Sequence, residues 1–192
     1  MNFWFSADYH WDHKNILQLA TRPFSTILQN DEEIIERNNS LVKNNDKLFI
    51  LGDLSYKTTK EYTVSCLKRL NGKKIVIWGN HDKALRAALQ CGLLTEMLNS
   101  GELELIGPSD HRLSTSMEMI IHKQLLVLSH YAYRTWHHAF RNAVHLYGHS
   151  HGKLPPLFRS IDVGVDNNNY YPFSFEEIMY YMDGVKDDFR EI

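Results

Sequence analysis

Five short apolar runs punctuate the chain, and each leads into polar residues of one kind. Asn2-Phe3-Trp4-Phe5 is followed by Asp8 and His10, Leu48-Phe49-Ile50-Leu51 by Gly52-Asp53, and Ile75-Val76-Ile77-Trp78 by Gly79-Asn80-His81-Asp82. Leu125-Leu126-Val127-Leu128 is followed by Ser129-His130, and Val144-His145-Leu146-Tyr147 by Gly148-His149-Ser150-His151. A strand covered on both faces reads as an unbroken apolar run, so each run predicts a buried strand. Loops beyond strand ends are where sheet folds carry their chemistry. Ser160-Ile161-Asp162-Val163-Gly164-Val165 predicts a further strand, and Met117 to Ile121 with Gln124 to Ser129 predicts a hairpin turning at His122-Lys123. Between Asn99 and Ser116 the residues Gly101, Gly107, Pro108 and Ser109 mark turns.

Helical spacing fills the gaps. Asp31 to Val42 places Ile34, Ile35, Leu41 and Val42 on one side, with Asp31, Glu32 and Glu33 in the first turn, where the helix dipole favours acids. Thr59 to Leu70 carries Val64, Leu67 and Leu70 on one face and is stopped by Asn71-Gly72. Lys83 to Gln90 predicts a short helix, Arg134 to Asn142 a weakly patterned one, and Ser174 with Glu177 a capping box ahead of Ile178, Met179 and Met182. Strands alternating with helices, then a β-rich second half, predict a layered α/β sandwich over one domain, residues 1–192.

Composition narrows the function. A formal charge of −2 argues against a protein that binds nucleic acid by bulk attraction, although a nucleic-acid end held locally by metal ions is compatible. Cys66 and Cys91 fit no zinc spacing and no disulfide framework, which points to the cytoplasm. Met1-Asn2-Phe3-Trp4-Phe5-Ser6 has no export character, and no apolar stretch is long enough to span a bilayer, so no membrane partner is expected.

The strand-end residues are metal ligands by chemistry. Asp8 with His10, and His149 with His151, stand two apart, and in an extended segment such pairs point to the same side. Asp53 offers two oxygens that can bridge two cations, Asn80 a neutral amide oxygen, and His81 an acid or phosphate donor. Each motif has a plain structural reading too: Asp53 as a cap, Asn80-His81-Asp82 as a turn, His130 as a hydrogen-bonded core residue. Their joint occurrence after five strands is what turns argue against. The combined set of Asp8, His10, Asp53, Asn80, His130, His149 and His151 is too many for one metal and fits two sharing a carboxylate.

In this order, Asp-x-His, Gly-Asn-His-Asp preceded by Gly-Asp, a lone His and Gly-His-x-His resemble the calcineurin-like metallophosphoesterases, from Asp8 to His151. The chain is also similar to a small bacterial and phage branch of that family at His13-Lys14-Asn15-Ile16, Arg22-Pro23-Phe24, Leu146 to Gly152 and Asp162-Val163-Gly164-Val165-Asp166. The resemblance implies a calcineurin-like four-layer α/β sandwich, two packed mixed β-sheets flanked by helices, with two divalent metal ions. Manganese is the first expectation; iron, nickel, zinc and cobalt suit the same ligands. Carried over, one metal would take Asp8, His10 and His151 and the other Asn80, His130 and His149, with Asp53 bridging. A metal-bound hydroxide would attack phosphorus, and His81 would protonate the leaving oxygen or hold the phosphoryl group.

The protein phosphatases of that family continue Gly-Asp to a second Asp and an Arg, whereas here the run is Gly52-Asp53-Leu54-Ser55-Tyr56-Lys57. The expectation is therefore a phosphodiesterase, with a phosphomonoesterase or a catalytically silent scaffold as alternatives. The substrate is a phosphoester, a nucleotide or nucleic-acid end among them. His13, where the branch also carries His, is expected to face the substrate or solvent. Arg22 and Arg37 can grip phosphate bidentately or be solvated. Tyr131, Tyr133, Trp136, His137 and His138 make either a stacking surface or a partly buried helix face.

Overall fold

Period-2 alternation along each strand sorts side chains onto two faces. The computed structural model, which describes residues 1–110 and 113–185, shows both faces buried along Phe3–Ser6, Lys47–Ile50, Lys73–Ile77 and Val144–Tyr147 but one face open along the edge strand Ser116–Ile121. Strands β1 (Phe3–Ser6), β2 (Lys47–Ile50), β3 (Lys73–Ile77) and β4 (Leu103–Ile106) run parallel in one sheet, closed by antiparallel β9 (Phe173–Ser174), in the order β4-β3-β2-β1-β9. The second sheet, β5-β6-β7-β8, pairs β5 (Ser116–Ile121) and β6 (Gln124–Ser129) antiparallel, then continues parallel through β7 (Val144–Tyr147) and β8 (Ser160–Asp162). Phe5, Phe49, Leu51, Ile75 and Ile77 of the first sheet pack against Leu126, Leu128, Val144 and Leu146 of the second. The alternate residues Trp4, Leu48, Ile50 and Val76 are covered by helices. These are α2 (Ile27–Leu41), α3 (Lys60–Arg69), α4 (Lys83–Gln90) and α5 (Thr95–Ser100), which contribute Ile34, Ile35, Val64, Leu67, Leu85, Ala88 and Met97. The fold is thus a mixed α/β sandwich of two mixed sheets with helices.

Several elements depart from the pattern-based expectation, each for a local reason. Helix α2 begins four residues early because the Thr26 hydroxyl accepts the Gln29 amide as its cap. Asp31 therefore lies beyond the first turn, buried, and accepts the Asp12 amide and the Tyr62 hydroxyl. Arg134 to Asn142 forms turns rather than a helix: His138 (φ 56°) and Asn142 (φ 63°) are left-handed and interrupt it. Trp136, Ala139 and Ala143 still pack on Val127, so turns rather than a helix cover that side of the second sheet. The expected strand over Ser160–Val165 stops at Asp162, whose Oδ1 accepts the Gly164 amide and turns the chain. A short helix α1 (Ile16–Leu19), α5 and β4 had no clear signature.

Other expectations are met. The His122-Lys123 turn has both residues left-handed (φ 45° and 71°), as a two-residue type I′ hairpin needs. Helix α6 (Phe175–Met182) carries the full Ser174–Glu177 capping box. No helix of the described residues is long and apolar enough to cross a membrane.

Candidate metal centre

The carboxyl ends of β1, β2, β3, β6 and β7 bring their loops to one place. Backbone hydrogen bonds stitch them together: Asp8 N to Gly52 O (3.0 Å), His10 N to Asp53 O (3.0 Å) and Gly148 N to His130 O (3.1 Å). Glycine is required at the closest approach. A Cβ on Gly52 (φ 91°) would lie 2.6 Å from Gly79 Cα, and one on Gly148 would lie 2.7 Å from Asp8 Oδ2.

Five of the seven expected ligands have left-handed backbones: Asp8 (φ 61°), His10 (φ 53°), Asp53 (φ 57°), His149 (φ 67°) and His151 (φ 48°). Such a conformation costs a non-glycine residue about 1–3 kcal/mol and persists where the surroundings enforce it, typically at functional sites. The backbone is therefore not extended at Asp8-x-His10 or His149-x-His151, and the same-side argument fails for the second pair. His151 joins Asp8 and His10, whereas His149 joins Asp53 and His130. In each trio the ligand atoms lie within 4.8 Å of one another, a spacing that could hold a metal ion.

Three features say these side chains want a cation. Asp8 Oδ1 and both His10 ring nitrogens are buried with no hydrogen-bond partner. Asp53 Oδ2 lies 3.7 Å from His10 Nε2 and 3.5 Å from His130 Nε2, between the two trios. His130 Nδ1 donates to Leu51 O (2.7 Å), so Nε2 presents a lone pair 2.9 Å from Asn80 Oδ1, itself an acceptor. A metal ion would satisfy all of these. Without one, a proton serves: burial opposes charge on His130, but the Asp53 and Asp8 carboxylates outweigh it and lift the imidazole to about 9. Burial pushes Asp8 up to about 7. Burial also raises Asp53, but His130 and His10 pull it below the ordinary carboxylate range.

The surrounding shell fixes the ligands. His151 Nδ1 pairs with Asp166 Oδ2 (2.7 Å), which leaves Nε2 for the site, the usual way a carboxylate orients a metal-binding imidazole. Arg22 is buried, and all five of its N–H groups are taken: two by the Asp166 carboxylate and the others by Asp8 O, Tyr9 O and Asn30 Oδ1. That corrects the expectation that Arg22 grips phosphate, since no donor remains. Arg37 also turns away from that role: half-buried on α2, it pairs with Glu33 and Asn169 O and lies over the Tyr170 and Tyr171 rings.

His81 stands at the site, half-buried, its amide donating to Asp53 Oδ1 (2.8 Å) and its ring 5.6 Å from His10. Asp82 does not orient it. The Asp82 carboxylate is buried and accepts the amides of Gly79, Asp53 and Leu54, locking the two loops together. His13 is drawn in, its ring 5.3 Å from His10 and 4.1 Å from Tyr56, and burial, then His81 and Arg22, lowers it to about 4.

Tyr131 reaches Asn80 Oδ1 with its hydroxyl (3.4 Å) and meets His130 and His149 edge-on. Tyr133 and Trp136 instead pack on His145, with Tyr133 stacked at 5.0 Å, while His137 pairs with Glu118. The supposed stacking surface is thus divided, and only Tyr131 borders the centre. Tyr56 and the orienting role of Asp166 were not anticipated. Asp166 closes the run Asp162-Val163-Gly164-Val165-Asp166, and nothing local distinguishes an orienting carboxylate from a turn residue.

No family model matches the chain. Parts of it are similar to an uncharacterized protein of Methanocaldococcus jannaschii, 36% identical over 78 residues (40% of this chain, 44% of the relative). They are also similar to the gene 66 protein of Mycobacterium phage L5, 30% identical over 83 residues (42% of this chain, 40% of the relative). The chain thus spans less than half the length of these curated relatives. A protein of unknown function from Aquifex aeolicus, known from its crystal structure, matches 94% of this chain and 98% of its own at a TM-score of 0.64 with 20% identity. That likeness establishes a shared sandwich fold and nothing about activity.

Proposed function

We propose that the chain is a two-metal phosphohydrolase acting on phosphodiesters. The observation that carries this reading is Asp53 Oδ2, a member of one trio of ligand atoms, standing 3.5 Å from His130 of its own trio and 3.7 Å from His10 of the other. Asp8, His10 and His151 would hold one ion, Asn80, His130 and His149 the other, with Asp53 common to both. Divalent cations held there would acidify a water and neutralise charge at phosphorus.

The protein's own part is positioning. Buried carboxylates and imidazoles keep the ligand atoms preorganised, so no reorganisation is needed as charge develops. His81, beside Asp53 and open on one side, is placed to hold a phosphoryl oxygen or give a proton to the departing oxygen.

A diester fits better than a monoester. Arg22 is saturated and Arg37 is engaged elsewhere, so neither guanidinium is free for the extra charge of a monoester dianion. Gly52-Asp53 runs on into Leu54-Ser55-Tyr56-Lys57, so the second Asp and the Arg of the phosphatase motif are absent.

Hydrolysis of bis(p-nitrophenyl) phosphate by chelator-treated protein, with and without added Mn²⁺, tests the reading. Turnover that appears with the metal is expected, and activity indifferent to chelation would defeat it. His81→Ala should lose about 10²-fold or more in turnover while keeping its metal content. Loss of metal in that variant would make His81 a ligand.

A further inference from the structure

Next to the metal centre is a pocket of about 320 Å³ lined by Asp12, His13, Lys14, Asn15, Tyr56 and Lys57. It is formed by the loop after His10 and the loop after Ser55, which are joined by hydrogen bonds from Trp11 N to Leu54 O (2.9 Å) and from Tyr56 N to Trp11 O (3.2 Å). Asp12 (φ 59°) and Lys57 (φ 52°) are both held left-handed, so the pocket walls are set conformations that the surrounding structure enforces.

Two of its lining rings reach the centre. The His13 ring lies 5.3 Å from His10 and 4.1 Å from Tyr56, and Tyr56 meets His81 edge-on at 4.7 Å. His13 Nδ1 is buried and has no partner.

Its charge is positive. Lys60 and Lys68 pair with glutamates, but among the described residues neither Lys14 nor Lys57 has a carboxylate within ion-pair distance. Lys57 Nζ sits 5.2 Å over the Tyr56 ring. Two ammonium groups against the single carboxylate of Asp12 leave the pocket positive in a chain of net charge −2. Unpaired cations, an unpartnered imidazole nitrogen and an aromatic face together recognise an anion carried by a planar ring system.

Resting on the phosphodiesterase reading, we propose that this pocket takes the phosphate flanking the scissile one in a nucleotide chain, with Lys14 and Lys57 on that phosphate and the adjoining base against Tyr56. The substrate class is then an oligonucleotide end rather than an isolated small diester. The lysines bind the anion as point charges, and local attraction substitutes for the basic surface that the chain lacks.

Thymidine dinucleotides without a terminal phosphate, with a 5′-phosphate and with a 3′-phosphate test this. With Mn²⁺-loaded protein, one phosphorylated form should exceed the bare dinucleotide in kcat/KM by about tenfold. In the Lys14→Gln, Lys57→Gln double variant that ratio should fall toward one. Equilibrium binding of the same three compounds to chelator-treated protein should show the same preference and the same loss. Equal values for all three compounds in the unaltered protein, or a preference that survives the double substitution, overturns the pocket assignment. Bis(p-nitrophenyl) phosphate, run on the same preparation, separates the two readings. Turnover without any phosphate preference defeats the pocket alone. A binding preference with no turnover on any diester leaves the pocket standing and defeats the phosphodiesterase.

Discussion

The two trios of ligand atoms are built differently. Asp8 and His10 are buried, and His151 is fixed by Asp166, which is itself fixed by Arg22. Asp53 and His130 are equally buried, but His149 is exposed and its ring is met only by aromatic edges from His130 and Tyr131. The first trio is therefore preorganised down to its outer partners, while the second has one corner facing solvent. On the proposed reading, a closed position beside a more open one would let the site keep its ions yet admit a substrate.

That contrast can be broken at its root. Arg22→Met would leave Asp166 buried without its cation and strip donors from the Asp8 and Tyr9 carbonyls, which should cost about 3–5 kcal/mol of folding stability. A urea-unfolding midpoint that barely moves would show that the closed trio is not anchored this way. Asp53→Asn removes the carboxylate that reaches from its own trio to His10 of the other, and turnover on bis(p-nitrophenyl) phosphate should fall on the order of 10³-fold. A smaller loss would mean that the trios act separately.

Finer substitutions should separate the two positions. His149→Ala is expected to weaken retention of one ion by about 10²-fold while the other stays bound, so metal content by elemental analysis should drop toward one per chain. Loss of both would argue that the trios are not independent. Asp166→Asn should weaken the closed position by roughly 10–100-fold, because His151 remains but loses its orientation. If chelator titration finds the closed position released before the open one in the unaltered protein, the ranking drawn from burial is wrong.

How much could be read beforehand depends on the range of the interaction. The strands at Phe3–Ser6, Lys47–Ile50, Lys73–Ile77, Gln124–Ser129 and Val144–Tyr147 announce themselves because burial on both faces demands an uninterrupted apolar run. Strand β4 (Leu-Glu-Leu-Ile) was hidden, because Glu104 breaks the run at an edge where one side is exposed. Arg134–Asn142 reads only as a weakly patterned helix and forms turns, because left-handed residues intervene while Trp136 and Ala139 pack on a sheet. Arg22 looked like a phosphate ligand because an arginine's type does not say who saturates it. Its partner Asp166 is 144 residues away.

By itself, then, the order of residues determined which side chains could coordinate a metal and that each would stand just past a strand. Ligand chemistry and apolar periodicity are local properties written into adjacent positions. Only the folded chain decided how those side chains divide into two trios, that His149 and His151 part company, and that Arg22 supports rather than binds. These outcomes depend on left-handed backbones at Asp8, His10, Asp53, His149 and His151. Neighbouring residues do not favour that conformation, so it is imposed by hydrogen bonds between loops far apart along the chain.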